Sequence, residues 1–330
     1  MAQSPPTTGD AMTTNESTTE STTESTTAPA SAATGPAKRP ARAKRSALHP
    51  ARLIRLGVYG VFSYAVLVAV AAIILIPILY AVLGGFKDNG QLVGNPGSLI
   101  PSPWIFGNYA DVLWGTDSGD FWKEVINSLL IGLVAVGVTV FVGSLAAFTF
   151  ARMVFKGREA VYTLFTLGLL FPSAVAILPL YILVRDLGLS GNLLGVALPE
   201  AAFGLPLTII ILRPFFKSIP VELEDAAKID GCSSFGFFWR ILLPLARPAL
   251  ATVTVLATVG TWNAFMLPLI LLNGADQWTL PLGVMNFSGE FVHDQALTLA
   301  FTVSAMVPAV IFYAIAERNI VTGLTAGSGK

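Results

Sequence analysis

Six stretches of the chain are apolar over lengths that a soluble helix cannot bury on all sides. They lie at about 57–83, 126–150, 160–184, 193–214, 248–272 and 297–316. A helix needs about 20 such residues to cross about 30 Å of hydrocarbon, so the pattern predicts six transmembrane helices. The fourth stretch is the most interrupted, by Pro199 and Pro206. Membrane helices tolerate proline where neighbouring groups re-satisfy the freed carbonyls. Between the fourth and fifth stretches the pattern changes to a short polar helix, Ile219-Pro220-Val221-Glu222-Leu223-Glu224-Asp225-Ala226-Ala227-Lys228-Ile229-Asp230-Gly231. Pro220 suits its first position, Glu222 and Glu224 lie near the positive end of its dipole, and Glu224 reaches Lys228 at i, i+4. Gly231 supplies the left-handed turn that ends such a helix. Ser233 or Ser234 can cap the next helix, which runs on to Pro244 and Pro248. The expected fold is an all-α integral membrane protein with a helix-turn-helix elbow at the membrane surface, in the loop 213–247.

Residues 1–47 carry no helical period. They are rich in Thr, Ser, Ala and Pro, repeat Glu-Ser-Thr-Thr three times between 16 and 27, and hold almost no large apolar side chains. Such a segment cannot offset its ordering entropy and is expected to be a disordered tail before a six-helix membrane domain at 48–330. The first apolar run starts too late for a cleavable signal and is expected to act as a signal anchor. Only 12% of the 330 residues are charged, against about 25% in soluble domains. Their distribution sets the orientation. The tail, the second-to-third loop, the fourth-to-fifth loop and the C-terminal end carry seventeen Lys and Arg, among them Arg152 and Arg213; only Lys87, Lys123 and Arg185 fall on the other side. By the positive-inside rule both ends of the chain are cytoplasmic. The outer loop after the first span holds Trp104, Trp114 and Trp122, expected as interfacial anchors.

Several chemistries are disfavoured. A single cysteine, Cys232, forms no internal disulfide, and His49 and His293 do not make a metal site. No cofactor is expected. Gly323-Leu324-Thr325-Ala326-Gly327-Ser328-Gly329-Lys330 imitates a phosphate-binding loop but puts Leu324 where the first glycine belongs. No nucleotide site is therefore expected on this chain, and energy from ATP, if used, would have to come from a partner. Glu200 is the only clear ionisable side chain within the predicted spans, which argues against a proton-coupled carrier.

The polar segment reads as a docking helix. Ala226 and Ala227 allow close approach, and Asp225 offers a carboxylate to a partner's Arg or Lys. Together with Phe235, Ile241 and Leu243-Pro244, it resembles the signature loop of permease subunits of bacterial ATP-binding-cassette importers, with Asp225-Ala226-Ala227 at that family's Glu-Ala-Ala and Gly231 at its glycine. Further matches are Gly85-Phe86-Lys87, Asn108-Tyr109, Asn127-Ser128, Trp262-Asn263, Thr279-Leu280-Pro281-Leu282-Gly283 and Gly323-Leu324-Thr325-Ala326-Gly327. These resemble the carbohydrate-uptake branch, and within it the maltose-type six-helix inner-membrane component. The chain departs from the family at Ala264, where an acid is common, and at Ser328-Gly329-Lys330.

The resemblance implies one half of a heterodimeric pore in the bacterial cytoplasmic membrane, working with a second permease, two cytoplasmic ATPase subunits and an extracytoplasmic sugar-binding protein. It implies a coupling helix that docks on the ATPase, with Glu222, Glu224, Asp225, Ala226, Ala227, Asp230 and Gly231 as docking residues and Pro220 and Pro244 as structural ones. Thr261 and Asn263 stand as pore-contact residues or as helix-helix hydrogen-bonding groups. The alternatives are an importer of a polyol or glycerol phosphate, an ion-coupled secondary transporter, and a membrane scaffold that moves no solute.

Overall fold

The computed structural model describes residues 50–115, 120–287 and 294–327, with side chains described between 62 and 315. The tail at 1–47, His49, His293 and the last three residues lie outside the described residues. Among the described residues every regular element is helical. In chain order these are α1 (Pro50–Gly84), α2 (Asn89–Gly94), α3 (Gly107–Trp114), α4 (Phe121–Arg152), α5 (Arg158–Leu167), α6 (Ser173–Asp186) and α7 (Leu193–Ser218). Then follow α8 (Val221–Ile229), α9 (Ser234–Phe237), α10 (Leu243–Leu245), α11 (Arg247–Trp262), α12 (Met266–Leu271), α13 (Leu280–Gly283) and α14 (Gln295–Gly327).

Among the described residues, four helices are continuous and apolar enough to cross a bilayer: Phe62–Gly84, Phe121–Arg152, Leu193–Ser218 and Gln295–Ile315. The third and fifth apolar stretches, read from sequence as unbroken, are bent. The third bends by 103° between Arg158–Leu170 and Ser173–Asp186. Pro172 excludes the helical region for the residue before it, and Phe171 is accordingly extended, with ψ 120°. The fifth differs at both ends from the expected 248–272. Ser234–Leu245 and Arg247–Trp262 meet at 80°, because Pro244 and Pro248 each withdraw an amide and a π-helical turn, Phe238–Leu242, leads into the gap. Beyond Trp262 the helix stops at Asn263 and resumes only at Met266. The fourth stretch, which looked weakest, is a single 26-residue helix with Pro199, Pro206 and Pro214 inside it.

α4 and α7 form the centre of the fold. They touch through small residues: a Cβ on Gly143 would lie 2.5 Å from Thr208 Cγ2, and Thr139 donates across to the Ala201 carbonyl at 3.2 Å. Three apolar clusters surround this pair. One, with Phe148, Phe216, Ala227, Phe237 and Leu242, joins α8 and α9 to the ends of α4 and α7. A second packs α12 and the end of α6 on the middle of α4 and the start of α7. The third gathers Val112, Phe121, Leu280 and Phe301 at the opposite end.

The paired family motifs meet at that opposite end. Asn108 donates to the carbonyls of Gly85 (2.9 Å) and Lys87 (2.7 Å), and Tyr109 donates to Val82. Asn127 donates to the carbonyls of Asp276 and Trp278, while the Ser128 hydroxyl accepts the Leu280 amide at 2.9 Å. These motifs are therefore backbone staples that hold the loops on the helices. Trp104, Trp114 and Trp122 are exposed.

Candidate functional site

The elbow begins one residue later than the sequence pattern indicates. Pro220 is the residue before the helix, with φ −54° and ψ 138°, and α8 starts at Val221. Its far end is a double-bonded αL turn. Gly231 has φ +79°, its amide donates to the Lys228 carbonyl at 3.0 Å, and the Cys232 amide donates to the Ala227 carbonyl at 2.8 Å. These two bonds satisfy carbonyls that the helix end leaves free. Ser233 caps α9, its hydroxyl accepting the Gly236 amide at 3.1 Å. Pro244 opens α10, two residues past the wide turn.

α8 has two faces of opposite character. Glu222, Asp225, Ala226 and Ile229 recur at helical spacing and are exposed, together with Asp230 and Gly231 beyond them. Val221, Leu223 and Phe235 add exposed apolar surface around them. Glu224 and Ala227, expected as docking residues, are buried at 7% and 5% exposure and face the chain's own interior. Ala227 packs in the cluster with Phe148 and Phe237, and the small side chain lets the helix lie flat on α4 and α7. Their part in any docking is thus to position the outer face.

Glu224 shows how the elbow is held. Its carboxylate lies 3.7 Å from Arg152 at the end of α4 and 3.0 Å from Lys228 one turn on. The Lys228 pair is the i, i+4 contact the spacing predicts, and the hydrogen bond and charge of Glu224 raise the Lys228 pKa above its ordinary value. Arg152 also donates to the carbonyls of Phe216 (2.7 Å) and Ile219, the last turn of α7 and the entry to α8. One buried guanidinium therefore joins α4, α7 and α8.

A second arginine runs the other way. Arg213 of α7 is buried, donates to the Phe150 carbonyl of α4 at 3.2 Å, ion-pairs with Glu159 of α5 and lies 3.7 Å over the Tyr162 ring. Each helix thus supplies an arginine to the other's carboxyl end, where the helix dipole favours a cation. The sequence pattern places both residues only as positive charges flanking membrane spans. Their roles depend on contacts 54 to 67 residues apart in the chain. The one available signal is that each sits near the end of a long apolar helix, Arg152 in the last turn of α4 and Arg213 five residues before the end of α7.

The two pore candidates do not come together. Thr261 and Asn263 both bond back to their own helix, to the carbonyls of Ala257 and Val259, each at 2.9 Å. Thr261 borders a cavity of about 250 Å³ between α4, α7 and α11. Asn263 borders two others, of about 140 and 330 Å³, towards α14.

Comparison with known proteins places this architecture. Residues 139–320, from mid-α4 through the elbow into α14, match the family model of the binding-protein-dependent transport system inner membrane component. The diacetylchitobiose uptake system permease protein NgcG of Streptomyces coelicolor is 32% identical over 82% of this chain and 89% of its own length. The trehalose transport system permease protein SugB of Mycobacterium tuberculosis is 34% identical over 78% of this chain and 92% of its own. The arabinooligosaccharides transport system permease protein AraQ of Halalkalibacterium halodurans is 33% identical over 79% and 93%. In fold, the chain is similar to one in the crystal structure of a bacterial ABC transporter involved in the import of the acidic polysaccharide alginate. The TM-score is 0.68 at 23% identity, covering 79% of this chain and 96% of that one. The elbow, the bent apolar segments and these matches agree: the chain belongs to the family of binding-protein-dependent transport system inner membrane components, the permeases of ABC transporters.

Proposed function

We propose that this chain is one half of a heterodimeric pore that imports a carbohydrate across the cytoplasmic membrane, driven by separate ATPase subunits through α8. The observation that carries the coupling is the pair of faces on α8. The inner face is fastened to α4 and α7 by Arg152, Glu224 and Ala227, and the outer face of Glu222, Asp225, Ala226 and Ile229 is exposed, Asp225 lying 3.8 Å from Lys228 of the same helix. A helix held so firmly transmits displacement to both central helices when ATP closes the ATPase pair. The carbohydrate assignment is supported by relatives named for diacetylchitobiose, trehalose and arabinooligosaccharides. A binding-protein partner is supported by the family description and by a structural relative solved with a pentasaccharide-bound periplasmic protein.

In this reading each bent pair crosses once, giving six spans, and the charge asymmetry puts both termini and the elbow in the cytoplasm. The permease domain is 48–330 with residues 1–47 as a tail outside it, and hydrolysis takes place on the partner.

Purification in mild detergent from the native host, followed by mass spectrometry, tests the assembly. A second permease and an ATPase are expected with it. Asp225→Lys should weaken ATPase retention by about tenfold or more, since reversing a charge in a desolvated pair costs several kcal/mol. Purification alone in both forms, with uptake driven by an ion gradient, would make the chain a secondary transporter.

A further inference from the structure

Glu200 lies on α7, inside a membrane-crossing segment and half-buried. Among the described residues no hydrogen bond or ion pair engages its carboxyl. A carboxylate at such depth is expensive unless a charge, water or ligand meets it, so it calls for a partner beyond the described residues. The carboxyl borders the cavity of about 250 Å³ between α4, α7 and α11, with Phe203, Thr261, Gly260 and Leu169. Leu169 belongs to the 3-10 turn at the 103° break of the third segment. Broken helices at membrane depth are tolerated where they line cavities. Gly260 leaves open space where a side chain would stand.

The chemistry of the lining selects the ligand. The Thr261 hydroxyl gives its proton to Ala257, leaving its oxygen as an acceptor in the cavity that Glu200 also lines. The site therefore asks for hydrogen-bond donors. Hard cations take about six oxygens, and beyond Glu200, Thr261, Thr139 and Thr208 the walls, including Phe203, Leu207 and Leu256, are apolar. A ring with hydroxyls at its edge and C–H groups on its faces satisfies both halves. At about 250 Å³ the cavity lies just below the roughly 300–1,000 Å³ of ligand pockets, enough for one sugar ring at a time. We propose that the Glu200 cavity is a saccharide-contact site on the transport path, its carboxylate accepting hydrogen bonds from sugar hydroxyls against the surface of Phe203. This rests on the carbohydrate-importer reading.

The test uses the whole complex with its binding protein in proteoliposomes, given a panel of labelled di- and oligosaccharides and internal ATP. Glu200→Leu is expected to lower uptake about tenfold, the effect of losing hydrogen bonds to a charged acceptor. Glu200→Gln, which keeps one acceptor oxygen, should lose less, and nucleotide hydrolysis and assembly should persist in both. Uptake by Glu200→Leu at the wild-type rate would overturn the site alone. A wild-type complex that takes up no saccharide would overturn the importer reading and the site with it. Loss of wild-type uptake on adding a protonophore with ATP present would assign the carboxylate to ion coupling instead. Should Glu200→Leu not assemble, Gly260→Leu, which grows into open space, decides: blocked uptake with intact hydrolysis supports the site, and unchanged uptake overturns it.

Discussion

Arg152→Ala is expected to abolish ATP-driven uptake and to destabilise the permease by about 3 kcal/mol. The guanidinium is buried beside Glu224 and serves the carbonyls of Phe216 and Ile219. Removing one partner of a buried pair costs about 3–5 kcal/mol, because the other charge is left without compensation. The Lys228 contact to Glu224 at 3.0 Å remains and offsets part of this, being itself half exposed. The two carbonyls lose their donor as well, which frees the entry to α8 from α7. Thermal unfolding in detergent and uptake in vesicles check the two effects. Arg152→Lys should restore some stability and little coupling, since an ammonium cannot reproduce the guanidinium fork that spans three helices. Wild-type melting and uptake in Arg152→Ala would mean that the elbow is not held by this residue.

Gly231→Asp is expected to leave the protein folded in the membrane while uptake falls below about a tenth. The backbone there is left-handed, with φ +79°, which costs an ordinary residue roughly 1–2 kcal/mol. Nothing lies within 4 Å of where its Cβ would stand, so no clash inside the chain adds to that cost. The new carboxylate would sit at the carboxyl end of α8, unfavourable to its dipole by about 0.3–1 kcal/mol, and on the face read as the ATPase contact. Gly231→Asn separates these contributions, because Asn tolerates the same backbone without the charge. Uptake should fall in the order wild type, Asn, Asp, with similar yields of folded protein. Equal uptake in all three would show that the helix end plays no part in coupling.

The elbow was legible in the sequence because its determinants are local. The Gly231 turn, the Ser233 cap and the Glu224–Lys228 pair each depend on residues within five positions of one another. The apolar stretches were legible for the same reason, as runs of side chains matched to the thickness of a bilayer. What escaped is what depends on distant contacts. Neither Arg152 nor Arg213 differs in sequence from any basic residue flanking a span; only the meeting of α4 and α7 makes them cross-helix latches. The bends are intermediate cases. Pro172, Pro244 and Pro248 are visible, yet α7 absorbs three prolines without breaking, so proline alone does not decide. Asn127, Ser128, Asn108 and Tyr109 match a family pattern, and the structure gives their physical reason: they hold loops on the helices. Likewise Glu224 and Ala227 belong to the docking segment by position but face inward, a distinction that rests on which side of α8 lies against Phe148 and Phe237.

The central claim is that force enters this permease at the outer face of α8. A photo-crosslinking residue placed at Ala226, exposed on that face, tests it most directly in the assembled complex. Irradiation should join this chain covalently to the ATP-hydrolysing subunit, whereas the same residue at Leu170, exposed in the third apolar segment, should not. An ATPase that copurifies but crosslinks through Lys156 and never through position 226 would contradict the claim and move the coupling contact to the loop between α4 and α5.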